Sequence, residues 1–565
     1  MRAKSRPRAR VREISAGRAL QSGEARSQRV RVSVVILGAG LCFAAVAGQL
    51  ARLAATGGTE LVASLSEPMA TSFARPEIVD RNGRLLATDI EMPSLFADPS
   101  LILSRDDVVE KLATVLPGFD EAETRRLLAD RSRRFTWLRR GLSPQLAQSV
   151  HNLGLPGLSF RDELKRAYPL ERLARHVLGA VNIDNRGIAG IERYIDDQVG
   201  VETVHAATRS EGVAVRLTVD IGVQHSLEDE LKLAMGRYDA KGAAGLVMDI
   251  SSGAMLASAS LPGLDPAKPS EAQDPARLDR VQGGSYELGS VWKTITVALA
   301  FESGKSVDTI VDVTQPLTAG RFAITDTHPA GRPLTIAEIF VHSSNVGAGL
   351  LALDAGASRQ KQFLEKLGLW SQMRTEAGVV AAPQLPDQLE RAEQITIAYG
   401  HGIAVAPIQF AAAVAAILNG GERVQPTYIA RLDGDATPTR ERVVNLETSK
   451  AVRDLFRRNV TDPHGTGRRA EVAGYRVGGK TGTAEMPGRG GYLEKAVISS
   501  FVAAFPMDAP KYLVLVSLFE PKATDETQGE ITSGRNAAPT AGRVISRIAP
   551  LLGVLPEGAA AAPPG

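Results

Sequence analysis

The sequence predicts a mixed α/β protein held to a membrane by one helix near its N-terminus. Three observations predict it. Val32 to Leu50 is a run of nineteen uncharged residues between Arg31 and Arg52. Strand-like apolar runs and amphipathic helical patterns are interleaved through the rest of the chain. Ala244–Ile250 and Ala254–Ser260, joined by Ser251-Ser252-Gly253, read as a hairpin, which requires at least one antiparallel sheet.

The elements follow in chain order. Residues 1–31 carry ten Lys/Arg and two acidic residues, leaving 56 basic and 61 acidic residues after Arg31. The basic character belongs to this tail. The run 32–50 spans about 28 Å as a helix, close to a bilayer's hydrocarbon thickness. A cleaved signal peptide is the competing reading, since Ala45-Val46-Ala47 has the form of a cleavage site. The 31-residue basic region is longer than a signal peptide needs, and Leu41 before Cys42 is not the small residue of a lipoprotein signal. The positive charge before the span puts the tail in the cytoplasm and the body across the membrane. Residues 51–212 mix short strands with charged helices, among them Asp106–Ala113 and Glu121–Asp130. Val213–Val219 alternates as a strand and leads into a helix near Val223–Gly236. Tyr512–Phe519 reads as a buried strand and Pro539–Ile548 as a closing helix, so a second domain runs over 213–550. Residues 551–565 end in GAAAAPPG and read as a disordered tail.

With 44% hydrophobic and 23% charged residues, the body is that of a folded globular protein. A net negative body excludes nucleic-acid binding through an overall positive field. One cysteine, Cys42, excludes disulfide frameworks and multi-cysteine metal sites. A body outside the cytoplasm argues against ATP-dependent chemistry.

Three short segments carry chemistry. After Gly289, the run Ser290–Ser303 is apolar nearly all round, so it predicts a buried helix capped by Gly304. It nevertheless opens with Ser290 and, one turn on, Lys293. Burial lowers a lysine's pKa, and a lysine that can be neutral beside a serine activates a nucleophile. A capping serine with a snorkelling lysine is the bland alternative. Ser343-Ser344-Asn345 offers a hydroxyl and a carboxamide two residues apart; alone, it reads equally as a turn. Gly478-Gly479-Lys480-Thr481-Gly482-Thr483 presents a charge and hydroxyls suited to a carboxylate. Gly474–Thr481 also fits the G-x-x-x-x-G-K-T phosphate-loop pattern. Such a loop must open a helix, and GTAEMPGRGGY, rich in Gly and Pro, cannot propagate one.

S-x-x-K, S-x-N and K-T-G in this order are far more specific together than singly. The chain resembles the class B penicillin-binding proteins, peptidoglycan D,D-transpeptidases. Arg75-Pro76-Glu77-Ile78-Val79-Asp80-Arg81-Asn82-Gly83, Tyr168-Pro169, Leu178-Gly179 and Gly187-Ile188-Ala189-Gly190-Ile191-Glu192 resemble motifs of the family's non-catalytic pedestal (dimerisation-type) domain. Ser343-Ser344-Asn345-Val346-Gly347 is similar to the division-specific septal branch, since the elongation branch usually has aspartate where Ser344 stands. Thr294 replaces a usual proline, and His401 in Ala398-Tyr399-Gly400-His401-Gly402 replaces another residue.

The resemblance implies an elongated pedestal followed by a transpeptidase domain whose central antiparallel sheet is flanked by helices. It implies that Ser290 attacks the D-Ala-D-Ala carbonyl of a stem peptide, with Lys293 as general base. Ser343 would relay a proton to the leaving D-alanine, Asn345 would hold the substrate amide, and Lys480 would lower the pKa of Lys293. Thr481, Gly482 and Thr483 would bind the substrate's carboxylate end, and the N–H groups of Ser290 and Thr483 would form an oxyanion hole. An acceptor amine would resolve the acyl-enzyme, and a β-lactam would acylate Ser290 and leave slowly. No metal or cofactor is implied. Implied partners are the inner membrane, a glycosyltransferase and other division proteins, with the catalytic domain in the periplasm. Elongation duty, a carboxypeptidase or β-lactamase type of hydrolysis, and a non-catalytic β-lactam sensor or division scaffold are the alternatives.

Overall fold

A computed structural model describes residues 37–49, 74–197, 214–265, 274–319, 322–431, 440–488 and 491–558. Residues 37–49 are helical and exposed, in a unit separate from the body. The tail 1–31, both ends of the 32–50 run, the 212/213 boundary and residues 559–565 lie outside the described residues. Among the described residues, no helix is long and apolar enough to cross a membrane.

The pedestal is built on a five-stranded sheet ordered Thr136–Arg139, Leu85–Ala97, Ile78–Val79, Val215–Arg216, with Leu158–Ala167 also paired to Leu85–Ala97. That last pair runs antiparallel, from Thr88 opposite Ala167 to Ala97 opposite Leu158. The expected helices appear as Arg105–Val115 and Glu121–Leu127. Each is capped as its sequence requires, Ser104 accepting from the Asp107 N–H and Asp120 from the Glu123 N–H. Val108, Val109 and Leu112 of the first pack on Leu95 and Ala97 of the sheet. The strand expected over 213–219 is shorter: Val215–Arg216 pair in parallel with Ile78–Val79. The second domain's leading segment therefore completes the pedestal's sheet.

Two of the pedestal's family-like motifs, through Arg75 and Glu192, meet Arg166 in a buried ion-pair lattice. Arg75 Nε and Arg166 Nε each donate to one oxygen of Glu192, at 2.9 and 2.7 Å. Arg75 also reaches Asp196 at 2.6 Å, and Arg166 reaches Asp89 at 3.1 Å. Arg166 and Glu192 side chains are wholly buried. Burying charges costs several kcal/mol each, and here each guanidinium has carboxylates to offset that cost.

The second domain has a five-stranded antiparallel sheet, Gly478–Gly488, Gly491–Phe505, Tyr512–Phe519, Gly242–Asp249, Met255–Leu261. Strand alternation feeds two cores. Val514, Val516 and Leu518 join the cluster under helices Ile221–Arg237 and Ala537–Leu551. Leu513 and Leu515 join the larger cluster holding helices Lys293–Glu302 and Pro407–Leu418. Every residue of Pro407–Leu418 is buried. The glycine-rich segment that fitted a phosphate loop continues as strand through Gly488, pairing Lys480 with Val502 and Thr483 with Ser499.

Candidate active site

The helix that follows Ser290 departs from the sequence expectation in its first turn. Gly289–Trp292 is a 3-10 turn, and the α-helix begins at Lys293. This turn packs closely on the strand beside it. Gly289 has φ +60°, and a Cβ there would lie 2.6 Å from the Thr483 carbonyl oxygen. A Cβ on Gly482 would lie 2.4 Å from the Leu288 oxygen. Two glycines from separate motifs thus let the serine turn lie against the K-T-G strand.

Lys293 Nζ lies 3.0 Å from Ser290 Oγ. It also reaches Ser343 Oγ at 3.1 Å, Asn345 Oδ1 at 2.7 Å and the Ser343 carbonyl. Lys480 Nζ lies 3.1 Å from Ser343 Oγ and 3.2 Å from the Thr481 carbonyl. Ser290, Lys293, Ser343, Asn345 and Lys480 are therefore joined in one continuous hydrogen-bonded chain. Both lysines are 0% exposed, and neither forms an ion pair among the described residues. Burial pulls the pKa of Lys293 well below the usual lysine range, the nearby Lys480 ammonium lowers it further, and Asp326 opposes them. Burial alone pulls Lys480 down to about 7.

The acceptors around Lys293 decide what a neutral amine would do. The Ser343 carbonyl and Asn345 Oδ1 can only accept, so they take the two N–H donors of a neutral amine. The lone pair is then left for a hydroxyl, with Ser290 Oγ at 3.0 Å. A proton can pass from Ser290 to Lys293 along this contact. Ser343 Oγ, reached by both ammonium groups, connects the two lysines.

Backbone geometry holds the S-x-N turn. Ser343 ends helix Ile336–His342 in the left-handed conformation, φ +61°, which few residues other than glycine adopt. Ser344 caps the next helix, Asn345–Ala355, its hydroxyl accepting from the Gly347 N–H at 2.9 Å. The Asp326 carboxylate accepts from Ser344 Oγ at 2.6 Å, from the Val346 N–H at 3.1 Å and from the Asn345 N–H. Sequence reasoning missed Asp326. It lies in a polar stretch, TDTHPAGRP, that carries no periodic signal.

The K-T-G strand has its own support. Thr481 is buried and its hydroxyl donates to Thr466 Oγ1 at 2.7 Å. Buried Asn459 accepts from Thr466 and donates to the Gly479 carbonyl at 2.8 Å. Thr483 is exposed, and its hydroxyl accepts from the Ser533 N–H at 3.1 Å. Asn459, Thr466 and Ser533 were likewise not legible; each lies outside the three motifs. On the far wall, Glu287 accepts from the Gly402 N–H at 2.8 Å and lies 3.5 Å from His401 Nδ1. Gly400, φ +85°, is forced there because a Cβ would meet the Gly289 oxygen at 2.1 Å. Among the described residues, no group of His, Cys, Asp and Glu is placed to hold a metal.

Comparison with known proteins identifies the family. A model of the penicillin binding protein transpeptidase domain matches residues 243–545, and one of the penicillin-binding protein dimerisation domain matches 71–206. The chain is 36% identical to a probable peptidoglycan D,D-transpeptidase FtsI of Caulobacter vibrioides over 93% of this chain and 89% of the relative. It is 32% identical to stage V sporulation protein D of Bacillus subtilis, over 86% and 79%. It is 27% identical to the peptidoglycan D,D-transpeptidase FtsI of Escherichia coli, over 86% and 85%. The chain belongs to the family of penicillin-binding protein transpeptidases.

Proposed function

We propose that the chain is a serine D,D-transpeptidase that cross-links peptidoglycan stem peptides through an acyl-enzyme on Ser290. The observation that carries this reading is the 3.0 Å contact between Ser290 Oγ and the Nζ of a buried lysine with no carboxylate partner. Lys293 takes the hydroxyl proton as Ser290 attacks the carbonyl between the two D-alanines. Ser343, hydrogen-bonded to both lysines, returns a proton to the departing D-alanine. Asn345 keeps its carboxamide N–H free for the substrate while its oxygen orients Lys293. Thr483 presents an exposed hydroxyl to the substrate carboxylate, with Thr481 and Gly482 shaping the strand behind it. The N–H groups of Ser290 and Thr483 hold the oxyanion, a donor of this kind contributing about 3 kcal/mol. An amine from a neighbouring stem then resolves the ester. β-Lactams acylate the same serine.

The domain plan follows: a cytoplasmic tail 1–31, a single span 32–50, a pedestal 51–212, a transpeptidase domain 213–550 and a short tail. The matched ranges 71–206 and 243–545 support the two exported domains. The uncharged run and its basic flank support an inner-membrane anchor with the body in the periplasm. Septal duty is supported by Ser344 within S-x-N and by the names of two relatives. A glycosyltransferase and other division proteins are the partners this role needs.

Labelling with fluorescent penicillin tests the nucleophile. Wild type should label and Ser290→Ala should not; equal labelling would contradict the assignment. Incubation with stem-peptide donor and amine acceptor should give cross-linked dimer, whereas D-alanine release without dimer would make the enzyme a hydrolase. Depletion should produce filaments; rounding cells would assign it to elongation.

A further inference from the structure

The pedestal holds a cavity of about 790 Å³ remote in sequence from the three catalytic motifs. Its walls come from the strand Leu158–Ala167, from the ribbon of Ala180–Val181 and Gly187–Ala189, and from Leu264 and Asp265 of the second domain. Apolar surface dominates it, with Ile183 and Ile188 exposed at the mouth.

Its polar groups are unevenly satisfied. Arg140 is taken by both oxygens of Glu163 and by Asp184. Arg166 belongs to the buried lattice. Arg175 differs. It is 5% exposed, its guanidinium lies 4.0 Å from the Tyr168 ring centroid, and its Nε and Nη1 have no hydrogen-bond partner. Asn185 donates through Nδ2 to Asp89 at 2.9 Å, and its Oδ1 is buried without a donor. Buried donors and acceptors in native proteins are normally satisfied. Lys165 and Glu171, exposed at the rim, carry opposite charges.

These orphans specify a ligand. The guanidinium edge of Arg175 matches a carboxylate. Asn185 Oδ1 requires an N–H. The apolar wall requires an aliphatic group. A simple anion supplies the first only, and a fatty acid lacks the N–H. A peptide with an acidic residue beside an aliphatic one supplies all three. We propose that this cavity binds an acidic, aliphatic segment of a second polypeptide, its carboxylate on Arg175 and a backbone N–H on Asn185.

The test uses the full chain in detergent and two fluorescein-labelled, end-blocked L-peptides, Leu-Glu-Leu and Leu-Gln-Leu, read by fluorescence anisotropy. The acidic peptide should bind at least about tenfold more tightly than the amide peptide, as a lost charge-assisted pair requires. Arg175→Gln should remove that preference. Ile188→Asp, at an exposed position, should weaken the acidic peptide by repulsion without touching Arg175, and so decides the matter if Arg175→Gln does not fold. Ser290→Ala should bind as wild type. Equal affinity for the two peptides, wild-type affinity in folded Arg175→Gln and Ile188→Asp, displacement by penicillin, or binding of free glutarate in place of the peptide would each overturn the proposal.

Discussion

The two domains both bury charge, and they do it in opposite ways. In the pedestal, Arg75 and Arg166 converge on Glu192, with Asp89 and Asp196 completing the set. Both guanidiniums of this lattice have carboxylates at hydrogen-bond distance, and the lattice ties distant segments of the pedestal together. In the active site, Lys293 and Lys480 are just as buried but are given only hydroxyl, carbonyl and carboxamide oxygens. Without a counter-charge, burial lowers both pKa values. The same cost of desolvation is therefore met by counter-charges in one place and by lowered lysine pKa values in the other. What separates them is the presence or absence of a carboxylate at hydrogen-bond distance.

The comparison can be broken at several points. The largest effect is expected from Lys293→Ala, which should slow penicillin acylation by about 10²–10⁴-fold, the range for removing a general base. Its thermal midpoint should fall less than that of Glu192→Ala, because truncating the amine leaves no buried charge without a partner. Glu192→Ala should do the reverse. It leaves two buried guanidiniums short of a partner and should cost about 3–5 kcal/mol of stability, read as a lowered denaturation midpoint. Folded Glu192→Ala should still be acylated at close to the wild-type rate.

Asp326→Asn is expected to have a smaller effect. It weakens the cap that holds Ser344, Asn345 and Val346, worth about 1 kcal/mol, so acylation should slow by roughly fivefold. Asp326 also raises the pKa of Lys293. Removing its charge should therefore shift the acidic limb of the acylation profile to lower pH, which a purely structural lesion would not do. The smallest effect is on stability in Lys480→Met. Lys480 is charged in both folded and unfolded chains below pH 7, but only in the unfolded chain between about 7 and the ordinary lysine value. The penalty of burying it is full below pH 7 and is relieved as pH rises. The gain in thermal midpoint on replacing it should be greater at pH 6 than at pH 9.

How much of this was legible depended on whether a residue's role is local. The strand Tyr512–Phe519 coincides with its sequence reading, since an unbroken apolar run in a two-sided sheet leaves little choice. The anomaly of Lys293 in an apolar helix was also visible, because periodicity alone says that the helix is buried. The 3-10 turn at Gly289 was not, since the Gly482 strand that packs closely on it lies far away in sequence. Asp326 was hidden for a similar reason: its partners lie eighteen or more residues away, and nothing in TDTHPAGRP marks it. Arg75 and Glu192 could be matched as motifs, yet only the fold reveals that both grip one another and Arg166, which no motif marked.

The proposed role of Lys293 requires it to lose its proton, which burial, the lack of a carboxylate at hydrogen-bond distance and a facing second ammonium favour. The acylation rate of wild type and Lys480→Met with a chromogenic β-lactam, followed across pH 5 to 10, tests this most directly. With Lys480 gone, Lys293 should hold its proton more tightly, and the acidic limb should move to higher pH, as expected for the loss of a like charge. A limb that stays in place, whatever the change in rate, would contradict the coupling of the two lysines and with it the assignment of Lys293 as the base.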